Sequence, residues 1–155
     1  MNRRDALKAS SGTVVMALAA SAGLLRPEFA VAQEWNKTAF DSKSLNEVVK
    51  ALGGTAAVES KDVFFVNAPD IAENGAVVPI GATSKIPNTE SISILVEKNP
   101  NALSATFTIP DGTEPTISTR VKMGQTSNIY ALVKADGKYF YAVKEVKVTL
   151  GGCGG

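Results

Sequence analysis

Residues 102–109 read Ala-Leu-Ser-Ala-Thr-Phe-Thr-Ile, and their alternation decides the fold. Leu103, Ala105, Phe107 and Ile109 fall on one side of an extended chain, while Ala102, Ser104, Thr106 and Thr108 fall on the other. A period of two is that of a strand with one buried face. The same pattern returns at residues 116–123, where Ile117, Thr119, Val121 and Met123 oppose Thr116, Ser118, Arg120 and Lys122. Working outward, further strands are expected at Val63–Val66, Ala76–Ile80, Ser91–Glu97, Asn128–Ala135 and Lys138–Leu150. The last two flank Asp136-Gly137, a pair that readily takes the positive φ values of a tight hairpin turn. Short strands in succession with no helices between them predict an all-β, antiparallel β-sandwich.

Upstream the period changes. In Ser44-Leu-Asn-Glu-Val-Val-Lys-Ala-Leu-Gly-Gly54, Ser44 and Glu47 stand at capping-box spacing, and Leu45, Val48, Val49 and Leu52 form a stripe that stops at Gly53. One short N-terminal amphipathic helix is expected, with its stripe covering an end or open face of the strands or, alternatively, receiving a partner. Trp35 and the aromatic run Tyr139-Phe140-Tyr141 suit half-buried pleated surfaces, as core or partner contacts.

Composition removes several classes of function. A formal charge of +1 with no run of Lys or Arg gives no basic surface for nucleic acid. The chain has no histidine, hence neither the commonest general base nor the commonest transition-metal ligand. A single cysteine precludes a cysteine-rich zinc or iron–sulfur site within one chain, and no glycine-rich phosphate loop opens a helix. The pairs Asp70/Glu73 and Asp111/Glu114 sit in Pro/Gly/Asn-bearing, turn-like segments and read as solvated loop charges. The expectation is a protein that is not an enzyme, with no catalytic residues, metal or cofactor of its own, whose chemistry passes through Cys153.

The first residues carry a transport address. Arg3 and Arg4 precede an apolar stretch from about Val14 to Leu25, shorter than the roughly 20 residues a bilayer span needs, and Ala30-Val31-Ala32 offers small residues for cleavage before Gln33. No stable membrane span is expected. Asn2-Arg-Arg-Asp-Ala-Leu-Lys8 resembles a twin-arginine export signal, with Asp5 and Ala6 in place of the usual residues; a general secretory signal is the alternative. Either route leads to the bacterial periplasm. The expected organisation is a signal peptide at residues 1–32, a helix plus sandwich at 33–150, and a flexible C-terminal arm at 151–155. Loss of the leader removes Arg3, Arg4, Lys8 and Arg26 against Asp5 and Glu28, so the remainder stays near neutral.

Cys153 lies between Gly151-Gly152 and Gly154-Gly155. Glycine, lacking Cβ, leaves the backbone thin and free to turn, and five residues reach at most about 17 Å, so the thiol could enter a narrow pocket of another protein. Neither a histidine nor a cation stands within this segment to activate the thiolate, which suits a handle acted on by others. An intermolecular disulfide clamp between structural modules is the alternative use of the same sulfur.

The terminal Gly-Gly-Cys-Gly-Gly, the paired-arginine leader and the interior Pro69-Asp-Ile-Ala-Glu-Asn-Gly-Ala-Val-Val-Pro-Ile80 together resemble the SoxY family, sulfur-carrier subunits of the periplasmic thiosulfate-oxidising Sox system. The resemblance covers nearly the whole chain. It implies an immunoglobulin-like sandwich, a heterodimer with a SoxZ-like subunit, and substrate held covalently on Cys153. It further implies a haem-containing SoxAX-type enzyme that conjugates thiosulfate as a cysteine S-thiosulfonate, a SoxB-type hydrolase and a SoxCD-type sulfane dehydrogenase.

Overall fold

The computed structural model describes residues 36–149. The leader with Arg3 and Arg4, Trp35, and the segment holding Gly151, Gly152, Cys153, Gly154 and Gly155 lie outside the described residues.

Two short helices come first, α1 (Lys37–Asp41) and α2 (Leu45–Ala51). Nine strands follow: β1 (Ala57–Glu59), β2 (Val63–Asn67), β3 (Ile71–Ala72), β4 (Val78–Ser84), β5 (Thr89–Val96), β6 (Leu103–Thr108), β7 (Thr116–Val121), β8 (Ser127–Ala135) and β9 (Lys138–Val148). They form a six-stranded sheet in the order β1-β9-β8-β5-β6, with β3 also pairing β9, and a three-stranded sheet in the order β2-β4-β7. The fold is an all-β, immunoglobulin-like sandwich with antiparallel pairing throughout, except where β1 and β3 run parallel to β9.

Between the sheets lies a core built on Ile80, Ile92, Ile94, Ile129 and Val133, each fully buried. A second cluster joins Val48 and Val49 of α2 and Ala39 of α1 to Leu95, Leu132 and Tyr139 on the outer face of the large sheet. The helices therefore form a third layer. This explains why Leu95 of β5 and Tyr130 and Leu132 of β8 are apolar on the face turned away from the sandwich core. The stripe of α2 covers a sheet face, the first of the two uses open to it in the sequence.

Local chemistry builds α2 as expected. Ser44 Oγ accepts from the Glu47 amide at 3.3 Å, and Glu47 Oε2 accepts from the Lys43 amide at 2.8 Å. At the other end Gly53, at φ +91°, donates to the Lys50 carbonyl, and Gly54 donates to that of Val49, closing a Schellman turn. The turn between β8 and β9 is the anticipated Asp136-Gly137, with φ values of 48° and 71°.

Four details differ from the sequence reading. Helix α1, capped by Asn36 Oδ1 accepting from the Ala39 amide at 3.0 Å, was not anticipated. Nor were β1 and β3. Strand β4 starts at Val78 rather than Ala76, because Asn74 turns the chain by bonding the amides of Ala76 and Val77. Pro79 is tolerated in β4 because β2 stops pairing at Asn67↔Gly81, leaving that flank without a ladder to break. Finally, β6 changes sides: a register shift between Ile94 and Leu95 sends Leu103 to the helix layer, while Phe107 and Ile109 face the sandwich core.

Candidate functional site: the end of strand β9

Strand β9 is the element that leads to Cys153. Its antiparallel ladder with β8 begins beside the hairpin at Ala135↔Lys138 and ends at Ser127↔Val146. Beyond Val146 the strand has left β8, and other groups take its amides. The Lys147 N–H donates to the Asp70 carbonyl at 2.9 Å, and the Thr149 N–H donates to the Ala72 carbonyl at 3.1 Å. These bonds flank the parallel pairs Ile71↔Lys147 and Ala72↔Val148. On the opposite flank the Val148 N–H donates to Thr126 Oγ1 at 2.9 Å.

Side chains reinforce the junction. Lys144 Nζ donates to the Ala68 carbonyl at 2.6 Å and contacts Asp70 Oδ1 at 2.9 Å, tying the entry of β3 to the middle of β9. The hydrogen bond and charge of Lys144 hold the Asp70 carboxyl below its ordinary range. Gly75 fits where no side chain could: a Cβ there would stand 2.4 Å from the Met123 carbonyl oxygen and 2.9 Å from a Val148 methyl. Its carbonyl accepts from the Met123 N–H at 2.7 Å, locking the 68–75 segment to the chain leaving β7.

Of the carboxylate pairs considered in the sequence, Asp70 proves to be an exposed member of an ion pair, separated from its partner Lys144 by 74 positions. Glu73, Asp111 and Glu114 are exposed. Among the described residues there is no grouping of three or more His, Cys, Asp or Glu side chains able to hold a metal, and no helix long and apolar enough to cross a membrane. Sequence reasoning singled out residues 69–80 as a motif but gave them no task, and it missed Lys144 and Thr126. The glycine at position 75 was the one readable hint of close backbone approach. Cys153 and its four glycines lie outside the described residues.

A helix-covered, immunoglobulin-like sandwich whose last strand is pinned on both flanks and leads on to a glycine–cysteine segment is the class of protein these residues define. The chain belongs to the SoxY family, whose model, described as sulfur oxidation protein SoxY, matches residues 48–153. Among solved structures, the sulfur carrier protein SoxY from Chlorobium limicola f thiosulfatophilum shares 37% identity, with a TM-score of 0.62. That similarity covers 68% of this chain and 96% of that one. An engineered protein is also similar at 18% identity and a TM-score of 0.41, over 68% of this chain and 24% of that one, and it carries no weight here. No curated protein matches.

Proposed function

We propose that the protein is a covalent carrier of intermediates in thiosulfate oxidation, with Cys153 as the attachment atom and Gly151, Gly152, Gly154 and Gly155 as the slender flanks of a mobile arm. The observation that supports this most is the family match, which runs through residue 153 and so includes the cysteine. The printed description of the relative from Chlorobium, a sulfur carrier protein, agrees.

On this reading the chemistry is supplied by others. Oxidative conjugation joins the Cys153 thiol to the outer sulfur of thiosulfate, forming one sulfur–sulfur bond, releasing a proton and passing two electrons to the haem of a SoxAX-type enzyme. Water then attacks the sulfonate sulfur in a SoxB-type hydrolase, releasing sulfate and leaving a persulfide on the cysteine. A SoxCD-type dehydrogenase oxidises that outer sulfur with oxygen from water, passing six electrons to its acceptor. A second hydrolysis returns the thiol. The protein is not an enzyme here: it holds the substrate between steps.

The same reading includes a SoxZ-like subunit as stable partner, cleavage after residue 32, and delivery to the periplasm through Arg3 and Arg4. A mature domain exported already folded could bring a bound partner with it.

Intact-mass measurement of the purified protein after incubation with thiosulfate and the Sox enzymes tests the proposal. A thiosulfonate adduct confined to Cys153 is expected. A chain that never gains mass would overturn it, and a disulfide-linked dimer that works only while oxidised would favour the crosslinking role instead.

A further inference from the structure

Strand β9 does not need β3 for its place in the sheet. Its ladder with β8 is continuous from Lys138 to Val146, and β3 contributes only two pairs, both beyond the last β8 partner. A two-residue parallel bridge adds little to a sheet of this size, and its placement is what calls for a reason. From Lys147 onward the chain would have no ladder without it. With it, the amides of Lys147, Val148 and Thr149 are held alternately by Asp70, Thr126 and Ala72. The segment that supplies these carbonyls is itself secured at both ends, by Lys144 on Ala68 and Asp70 and by the Gly75–Met123 contact.

We propose that residues 68–75 form a clamp on the end of β9 that fixes where the Cys153 segment leaves the domain, making Asp70, Lys144 and Gly75 positioning residues for transfer to partner enzymes. The inference rests on the carrier reading. With the clamp closed, Cys153 stands four positions beyond the last held residue, Thr149; with it open, it stands five positions beyond Val148 while the Thr126 bond persists and seven beyond Val146, the last residue laddered to β8, once that bond is lost. Effective concentration falls roughly as the −3/2 power of tether length, so lengthening alone lowers productive delivery about 1.4-fold while the Thr126 bond persists and about twofold once it is lost. Loss of a defined exit direction adds to that.

Two variants open the clamp from different sides. Lys144→Met removes both contacts of the ammonium with the 68–70 chain. Gly75→Ala places a Cβ against the Met123 carbonyl and forces the segment away. Three readouts are taken on the full chain with its partner subunit: amide exchange at Lys147 and Thr149, labelling of Cys153 by a small aromatic disulfide reagent, and kcat/KM for thiosulfate conjugation by the cognate haem enzyme. Faster exchange at those two amides, unchanged protection at Ile94 and Val133, unchanged labelling rate and at least about a 1.4-fold fall in kcat/KM are expected. A merely structural role would lower melting temperature without changing kcat/KM well below the transition. Loosened amides with unaltered kcat/KM overturn the clamp and leave the carrier reading standing; so do amides that stay protected in both variants. Wild-type protein that takes up no thiosulfate on Cys153 overturns the carrier reading, and with it the transfer role of the clamp.

Discussion

The Tyr139 hydroxyl donates a 2.8 Å hydrogen bond to the carbonyl of Leu52, so the first turns of β9 and the end of α2 are joined across 87 positions of sequence. Tyr139 is 4% exposed, and its ring covers Gly54, where a Cβ would stand 2.5 Å from the ring. Burial pushes the phenol's pKa up. The helix layer is thus latched to the sheet by a polar contact inside an apolar seam.

Removing that latch tests how much it holds. Tyr139→Phe keeps the ring and leaves the Leu52 carbonyl without its donor, so a loss of about 1 kcal/mol is expected in chemical denaturation. Gly54→Ala should cost more, because ring and helix must part to admit a methyl group. Circular dichroism in urea, with unchanged m values, checks both.

Leu132→Ala probes the helix–sheet seam itself. Leu132 is 1% exposed and belongs to the cluster with Val48 and Val49, so its truncation should destabilise by about 2–5 kcal/mol, depending on how far the helices settle into the gap. Differential scanning calorimetry on the domain provides the measurement.

Two exposed ion pairs give the pH dependence a sign. The carboxyls of Asp70 and Glu90 are held below their ordinary values of 3.8 and 4.5, chiefly by hydrogen bonds from Lys144 and Lys134. A carboxyl depressed in the folded state contributes stability above its unfolded pKa and loses it as pH falls through the folded one. Stability should therefore decline below about pH 4, and Asp70→Asn with Glu90→Gln should flatten that decline. Lys134, raised above 10.5 by Glu90, loses its contribution only as pH rises past that value. Thermal melts from pH 3 to pH 11 display both limbs.

Within the proposed arm, Cys153→Ser should abolish adduct formation, because an alkoxide oxygen cannot supply the sulfur–sulfur bond. Gly152→Val and Gly154→Val should slow partner enzymes while leaving the melting curve unchanged. Equal turnover in both valine variants would show that a slender approach is unnecessary.

Alternation makes a strand plainest in sequence where one face stays wet. In β7, Ile117 and Val121 are buried while Ser118 and Arg120 are exposed, so the alternation survives as composition. In β5 the alternation of Ser91, Ile92, Ser93 and Ile94 is broken only by Leu95, and in β8 it is blurred at Tyr130 and Leu132, where the helix layer covers the second face. Strands β1 and β3 are imposed by the free edge of β9, and no two- or three-residue stretch encodes that. Helix α1 is five residues long with only Ala39 buried, too little for a stripe. The register shift that turns Leu103 toward the helices likewise depends on its neighbour Leu95. At the end of β9, the motif at 69–80 was visible as a string. Its purpose was not, because Asp70 meets Lys144 only once nine strands have found their places.

The Asp136-Gly137 hairpin lies at the far end of an eleven-residue strand from Val148. At about 3.3 Å per residue, some 35 Å separate that turn from the root of the cysteine segment. A dye, an affinity tag or a surface linkage installed at the hairpin would therefore leave approach to the opposite pole unobstructed, which makes the turn a convenient handle for single-molecule observation of a loaded protein.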